Sequence, residues 1–167
     1  MINRLKFLDQ EHWIEEEFNT DKLEILICLE SVSDVCYQIL AGLTKDEAMR
    51  KECRRFEQYT EYRREELRRI FLPSSASEMI IQSKVAQCLI PLRSPHLAIL
   101  EVFDLAVSLT AYKIDIYKYF FRMEQGHNDL LNDCVQDSKE EMNFLRQERK
   151  FYQNNSGGSI RFAIKNL

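Results

Sequence analysis

The first 153 residues contain only five helix breakers: Gly42, Pro73, Pro91, Pro95 and Gly126. That scarcity constrains the fold more than any motif in the chain. Glycine and proline are the residues a helix interior tolerates least, so the long stretches between them are free to be helical. The apolar period agrees. Ile25, Leu29, Val32, Cys36, Ile39 and Leu43 recur at spacings of four and three, widened by Leu26, Val35 and Leu40. Met49, Cys53, Phe56, Thr60, Arg63, Leu67 and Ile70 repeat the pattern, with Thr60 and Arg63 as polar members of an apolar stripe. Ile81, Val85, Cys88, Leu89 and Leu92 follow. A last stripe runs Leu131, Val135, Ser138, Met142, Leu145, Arg149 and Tyr152. Each is the face of an amphipathic helix.

Local signals predict the boundaries. Gly42 reads as a C-terminal stop. Thr44-Lys45-Asp46-Glu47 and Ser75-Ala76-Ser77-Glu78 read as capping boxes, in which a hydroxyl accepts from a free backbone N–H and the glutamate reaches back. Ser94-Pro95 reads as an N-cap with proline in the first turn. The segment from Pro95 to about Glu124 is apolar on nearly all sides. Its polar positions, Glu101, Asp104, Ser108, Asp115, Lys118 and Arg122, fall on one line, so this helix is expected at the centre of the fold. Residues 9–18, with Trp13, Ile14 and Phe18 on one side, are expected to form a short first helix. Short links make consecutive helices antiparallel neighbours. The fold class expected is therefore all-α: an elongated antiparallel bundle of five or six helices over residues 1–153. Residues 154–167 are expected to form a flexible hinge and a short extended tail.

Charge and cysteine content narrow the function classes. The chain has 167 residues with 23 basic and 27 acidic groups, a net charge of −4. A dedicated nucleic-acid binder is usually basic. The five cysteines (28, 36, 53, 88 and 134) form no CxxC pair and read as reduced, buried thiols of an intracellular, cytoplasmic protein. The apolar stretch Leu97–Phe121 carries five charges and reads as a core helix, not a membrane span.

Candidate chemistry is sparse. Glu101 and Asp104 share a helix face, the arrangement in which one carboxylate raises the pKa of another. Their place on a polar line favours a solvent-facing or salt-bridged role. A bundle-borne di-metal site needs two Glu-x-x-His motifs. Glu124-Gln125-Gly126-His127 supplies one, with a glycine inside it, so no metal and no cofactor is expected. The run from Arg50 to Arg69 interleaves bases with Phe56, Tyr59 and Tyr62. Arg54, Arg55, Arg63, Arg64, Arg68 and Arg69 could track phosphates. Glutamates three or four positions away favour an internally salt-bridged face instead.

Arg122-Met123-Glu124-Gln125-Gly126-His127 is an Arg-x4-His. It resembles the signature of HEPN-type ribonucleases, small all-helical domains in which such an arginine and histidine cleave RNA. The resemblance implies Arg122 and His127 as catalytic residues. The family usually carries a polar residue directly after the arginine, where this chain has Met123.

Two further features ask for partners. The polar seam positions Thr60, Arg63, Ser138 and Arg149 suggest that two helices meet there, with Arg63 reaching Asp115, Glu141 or Glu148. The alternative is a seam left open for another chain. In the tail, Ile160, Phe162 and Ile164 alternate with Arg161 and Lys165, and Leu167 ends the chain. That period suits an extended peptide seated on a partner. The functional expectation is a non-enzymatic interaction module, an adaptor, regulator or subunit, binding another protein or a second copy of itself and no membrane. An RNA-binding or RNA-cleaving domain using Arg122 and His127 is the alternative.

Overall fold

The structure is a computed structural model that describes residues 20–71, 73–94, 97–123 and 128–155. Five α-helices make up the described chain: α1 (Thr20–Leu43), α2 (Glu47–Phe71), α3 (Ser75–Leu89), α4 (Ile99–Met123) and α5 (Asn128–Asn155), with a 3-10 turn at Pro91–Arg93. They form an antiparallel helical bundle with no strand among the described residues. The expected helix at 9–18, the hinge from Ser156 onward and the tail lie outside the described residues. Asn154 and Asn155, assigned to the hinge on sequence, belong to the last turn of α5.

Four long helices form a ring in the order α1, α2, α5, α4, each packed on the next, and α3 lies outside it against α1. The central helix is therefore α1 and not α4. Every residue from Lys22 to Glu30 is buried, because α2, α3 and α4 enclose that half of α1. The buried charges Lys22 and Glu24 each have a partner on a neighbouring helix. Lys22 lies 4.0 Å above the Tyr119 ring, and Glu24 lies 3.7 Å from Lys84 of α3. α3 is short, so the second half of α1 reopens to solvent at Gln38 and Gly42. By length and apolar composition, Lys22–Leu43 is a helix that could cross a bilayer; 67% of its most apolar window is buried inside the bundle.

The caps of α2 and α3 sit two and one residues away from the sequence reading. Asp46, not Thr44, caps α2, accepting from the N–H of Ala48 (2.8 Å) and Met49 (3.1 Å). Thr44 turns inward and shares a 2.8 Å hydrogen bond with the Tyr152 hydroxyl, tying the α1–α2 turn to the end of α5. Ser74, not Ser75, caps α3 by accepting from the Ser77 N–H, and Glu78 pairs with Arg68 of α2 in place of closing a box. α4 starts at Ile99, four residues after Pro95, and there Glu101 does reach back, accepting from the Ala98 N–H at 3.0 Å. α1 runs through Gly42 to Leu43, so that glycine is helical and stops nothing.

Candidate functional site

The core holds the unusual chemistry. Each helix of the four-helix ring sends one charged side chain inward: Glu30 from α1, Arg63 from α2, Glu141 from α5 and Lys113 from α4, all at most 1% exposed. Acid and base alternate around the ring, and each acid touches both bases. Arg63 Nε and Nη2 donate to Glu30 at 2.9 and 3.1 Å, and Nη2 also donates to Glu141 Oε1. Lys113 Nζ bridges the two carboxylates, 3.1 Å from Glu30 Oε2 and 2.8 Å from Glu141 Oε2. Two phenols complete the set. Tyr117 donates to Glu30 Oε1 at 2.6 Å, and Tyr37 donates across the bundle to Glu141 Oε2 at 3.1 Å.

Two acids and two bases leave the cluster neutral, which is how ionised groups persist away from water. Burial alone would raise the Glu30 carboxyl, but the facing Arg63 and Lys113 charges and the Arg63 and Tyr117 hydrogen bonds hold it below the usual carboxylate range. Burial works against the Arg63 charge too, and Glu30 and Glu141 outweigh it. Burial and the adjoining carboxylates push both phenols well above their ordinary value, so they remain neutral donors. At the rim, Asp137 stands 3.7 Å from Arg63 Nη1; partial burial raises its carboxyl despite that cation.

Each charged group of the ring is engaged by oppositely charged neighbours, although Arg63 Nη1 has no hydrogen-bond partner and only the 3.7 Å ion pair with Asp137. Lys113 occupies the position between the carboxylates that a bridging cation would need. No group of three or more metal-ligating side chains stands together among the described residues. All five cysteines are free and buried. Burial pushes Cys36, Cys53 and Cys134 up to about 12, which keeps them as unreactive thiols. Cys28 of α1 and Cys88 of α3 neighbour one another and perturb each other's thiols, raising Cys28 and lowering Cys88.

The residues singled out on sequence scatter around this centre. Arg63 lies inside and bonds Glu141, one of its three suggested carboxylates, but also Glu30, which the pattern did not point to. Asp115 is exposed, and Glu148 makes no ion pair with Arg63. Thr60 and Ser138 are buried beside the cluster, Thr60 donating to the Glu57 carbonyl. Arg149 leaves the seam: its half-exposed guanidinium pairs with Asp104 on the wet line of α4. Glu101 and Asp104 thus have separate partners and do not act as a carboxylate pair. Of the arginines proposed to meet phosphates, Arg55, Arg63, Arg64, Arg68 and Arg69 are paired with carboxylates of this chain, and Arg54 makes no ion pair among the described residues. Arg122 is exposed at the end of α4, and His127 lies outside the described residues. So do the tail positions Ile160, Arg161, Phe162, Ile164, Lys165 and Leu167.

Outside the ring, the solvent faces of α2 and α3 contrast. Each has nine exposed residues over 47–70 and 75–90 respectively. On α2, six are charged: Glu47, Lys51, Arg54, Glu61, Glu65 and Arg69. On α3 and its continuation to Ile90, none is charged, and Met79 and Ile90 are 72% and 65% exposed. Glu78 and Lys84, the charges of α3, both point back to ion pairs with the bundle.

Compared with protein-family models, curated proteins and solved structures, the chain matches none.

Proposed function

We propose that this protein is a non-enzymatic interaction module, whose bundle is a carrier and whose binding work is done on outer helix faces. One observation carries the reading: the solvent side of α3 exposes Met79, Ile80 and Ile90 with no charge among them. Apolar side chains gathered on a face without charge are a mark of contact surfaces. The core supports the same reading, since each buried acid or base of the ring is already ion-paired with its neighbours.

The tail at 156–167 is a second docking element of the proposal, and the RNA-directed use of Arg122 and His127 is its competitor. The test is capture from the native source on immobilised chain, with bound protein and bound RNA both quantified. The baits are wild type, the Met79→Glu/Ile90→Glu double variant, a chain ending at Asn155 and Arg122→Ala. Loss of protein with the double variant supports the α3 face. Loss on truncation moves docking to the tail. RNA bound in place of protein, and lost with Arg122→Ala, overturns the interaction reading.

A further inference from the structure

The interaction reading names a surface; the pattern on that surface names its occupant. We infer that the outer face of α3 pairs with the same face of a second copy of this chain, antiparallel, about a two-fold axis at Ser83.

The central line of the exposed face runs Ala76, Met79, Ser83, Ala86 and Ile90, at spacings of three, four, three and four. Ile90 closes α3 with helical backbone angles (φ −54°, ψ −47°), so the line continues through it. The order of sizes is small, large, small, small, large. Reversed about Ser83, the line complements itself. Ile90 of one copy falls opposite Ala76 of the other, Ile80 falls opposite Ala86, Met79 falls opposite Gln87 with Ala86 one residue along, and Ser83 meets Ser83. Large against small is what lets two helices interdigitate, and a small residue at the crossing lets their backbones approach. An isologous contact needs this self-complementarity.

Charge points to the same occupant. Two copies of a chain at −4 repel, and they approach most easily where neither presents a charge. The α3 face meets that condition, whereas the α2 face does not. Size sets the strength. A helix of 15 residues is ~22 Å long and covers at most about 400 Å² on each copy, roughly half the share of a standard stable interface. The pairing is therefore a weak, concentration-dependent dimer.

The experiment is sedimentation velocity over a concentration series, joined to a cross-linking test at the proposed axis. Wild type should shift from monomer to dimer as concentration rises. Met79→Glu and Ile90→Glu should stay monomeric, with wild-type far-UV circular dichroism and melting temperature, since both side chains face solvent. Ser83→Cys should form an inter-chain disulfide under mild oxidation at least tenfold faster than Lys139→Cys, an exposed control on α5. A wild-type chain that stays monomeric throughout, or Ser83→Cys that cross-links no faster than the control, overturns the inference. If the chain is monomeric while Met79→Glu/Ile90→Glu still loses a captured protein, self-pairing fails and the interaction reading stands. If that capture is unaffected as well, self-pairing and the α3 face both fail, and the interaction reading rests on whether truncation at Asn155 removes the captured protein.

Discussion

The interior of the four-helix ring and the outside of α3 invert the usual placement of side chains. The interior carries Glu30, Arg63, Lys113 and Glu141 where apolar packing would be expected, and α3 shows Met79, Ile80 and Ile90 to water where charges would be expected. The two exceptions differ in kind. The interior charges are used up on one another, so they specify which helices meet and at what height. The exterior apolar groups are left to solvent by the described helices, which is why a partner is proposed for them. A buried ion cluster adds little net stability over well-packed hydrocarbon, but it penalises any arrangement that leaves one member unpaired.

The largest effect should come from breaking the ring on one side. Arg63→Ala leaves two buried carboxylates with Lys113 alone, and an expected loss of about 3–5 kcal/mol in chemical denaturation checks it. Replacing all four members by apolar residues of similar size is the sharper experiment. Stability should be retained or rise by about 1–4 kcal/mol, while the single set of amide resonances expected of wild type broadens or multiplies. A uniquely folded apolar variant would deny the ring its specifying role.

Acid should act through the same cluster. The folded Glu30 carboxyl lies below its unfolded value of about 4.3, so its contribution is complete above that pH and disappears as pH falls through the folded value. Alkali acts through Tyr37 and Tyr117, whose folded values lie above the unfolded ~10; their contribution is present below that pH and is lost above it. Melting temperature against pH should fall at both ends, less steeply at the acid end for Glu30→Gln.

Smaller effects bound the account. Tyr152→Phe removes the tie to Thr44 and should cost about 1 kcal/mol. Gly42→Ala should stabilise by up to about 1 kcal/mol, because α1 is helical there and a Cβ would meet nothing within 4 Å.

The helices were legible because their apolar stripes repeat with little interruption. Arg63 and Thr60 were legible as polar members of such a stripe. Glu30, Lys113 and Glu141 were much less so. Glu30 stands beside an apolar stripe that hides it, and Lys113 reads as one more charge interrupting an apolar run. Only the packing of α1 against α2 and α4 shows that each is the other's partner. The available signal was Glu30 set among the apolar residues of α1 and Lys113 falling off the polar line of α4. The central position of α1 was missed for a related reason: it depends on α3 folding back along it, which a periodicity does not encode. The α3 face was missed because its own apolar stripe, Ile81 to Leu92, drew attention to the buried side.

The most direct test is amide hydrogen exchange of the wild-type chain at low and high micromolar concentration. The account predicts that protection over residues 76–90 rises with concentration, while α2 and α5 keep the same profile. Exchange in α3 that is independent of concentration, or protection that rises elsewhere in its place, would contradict it.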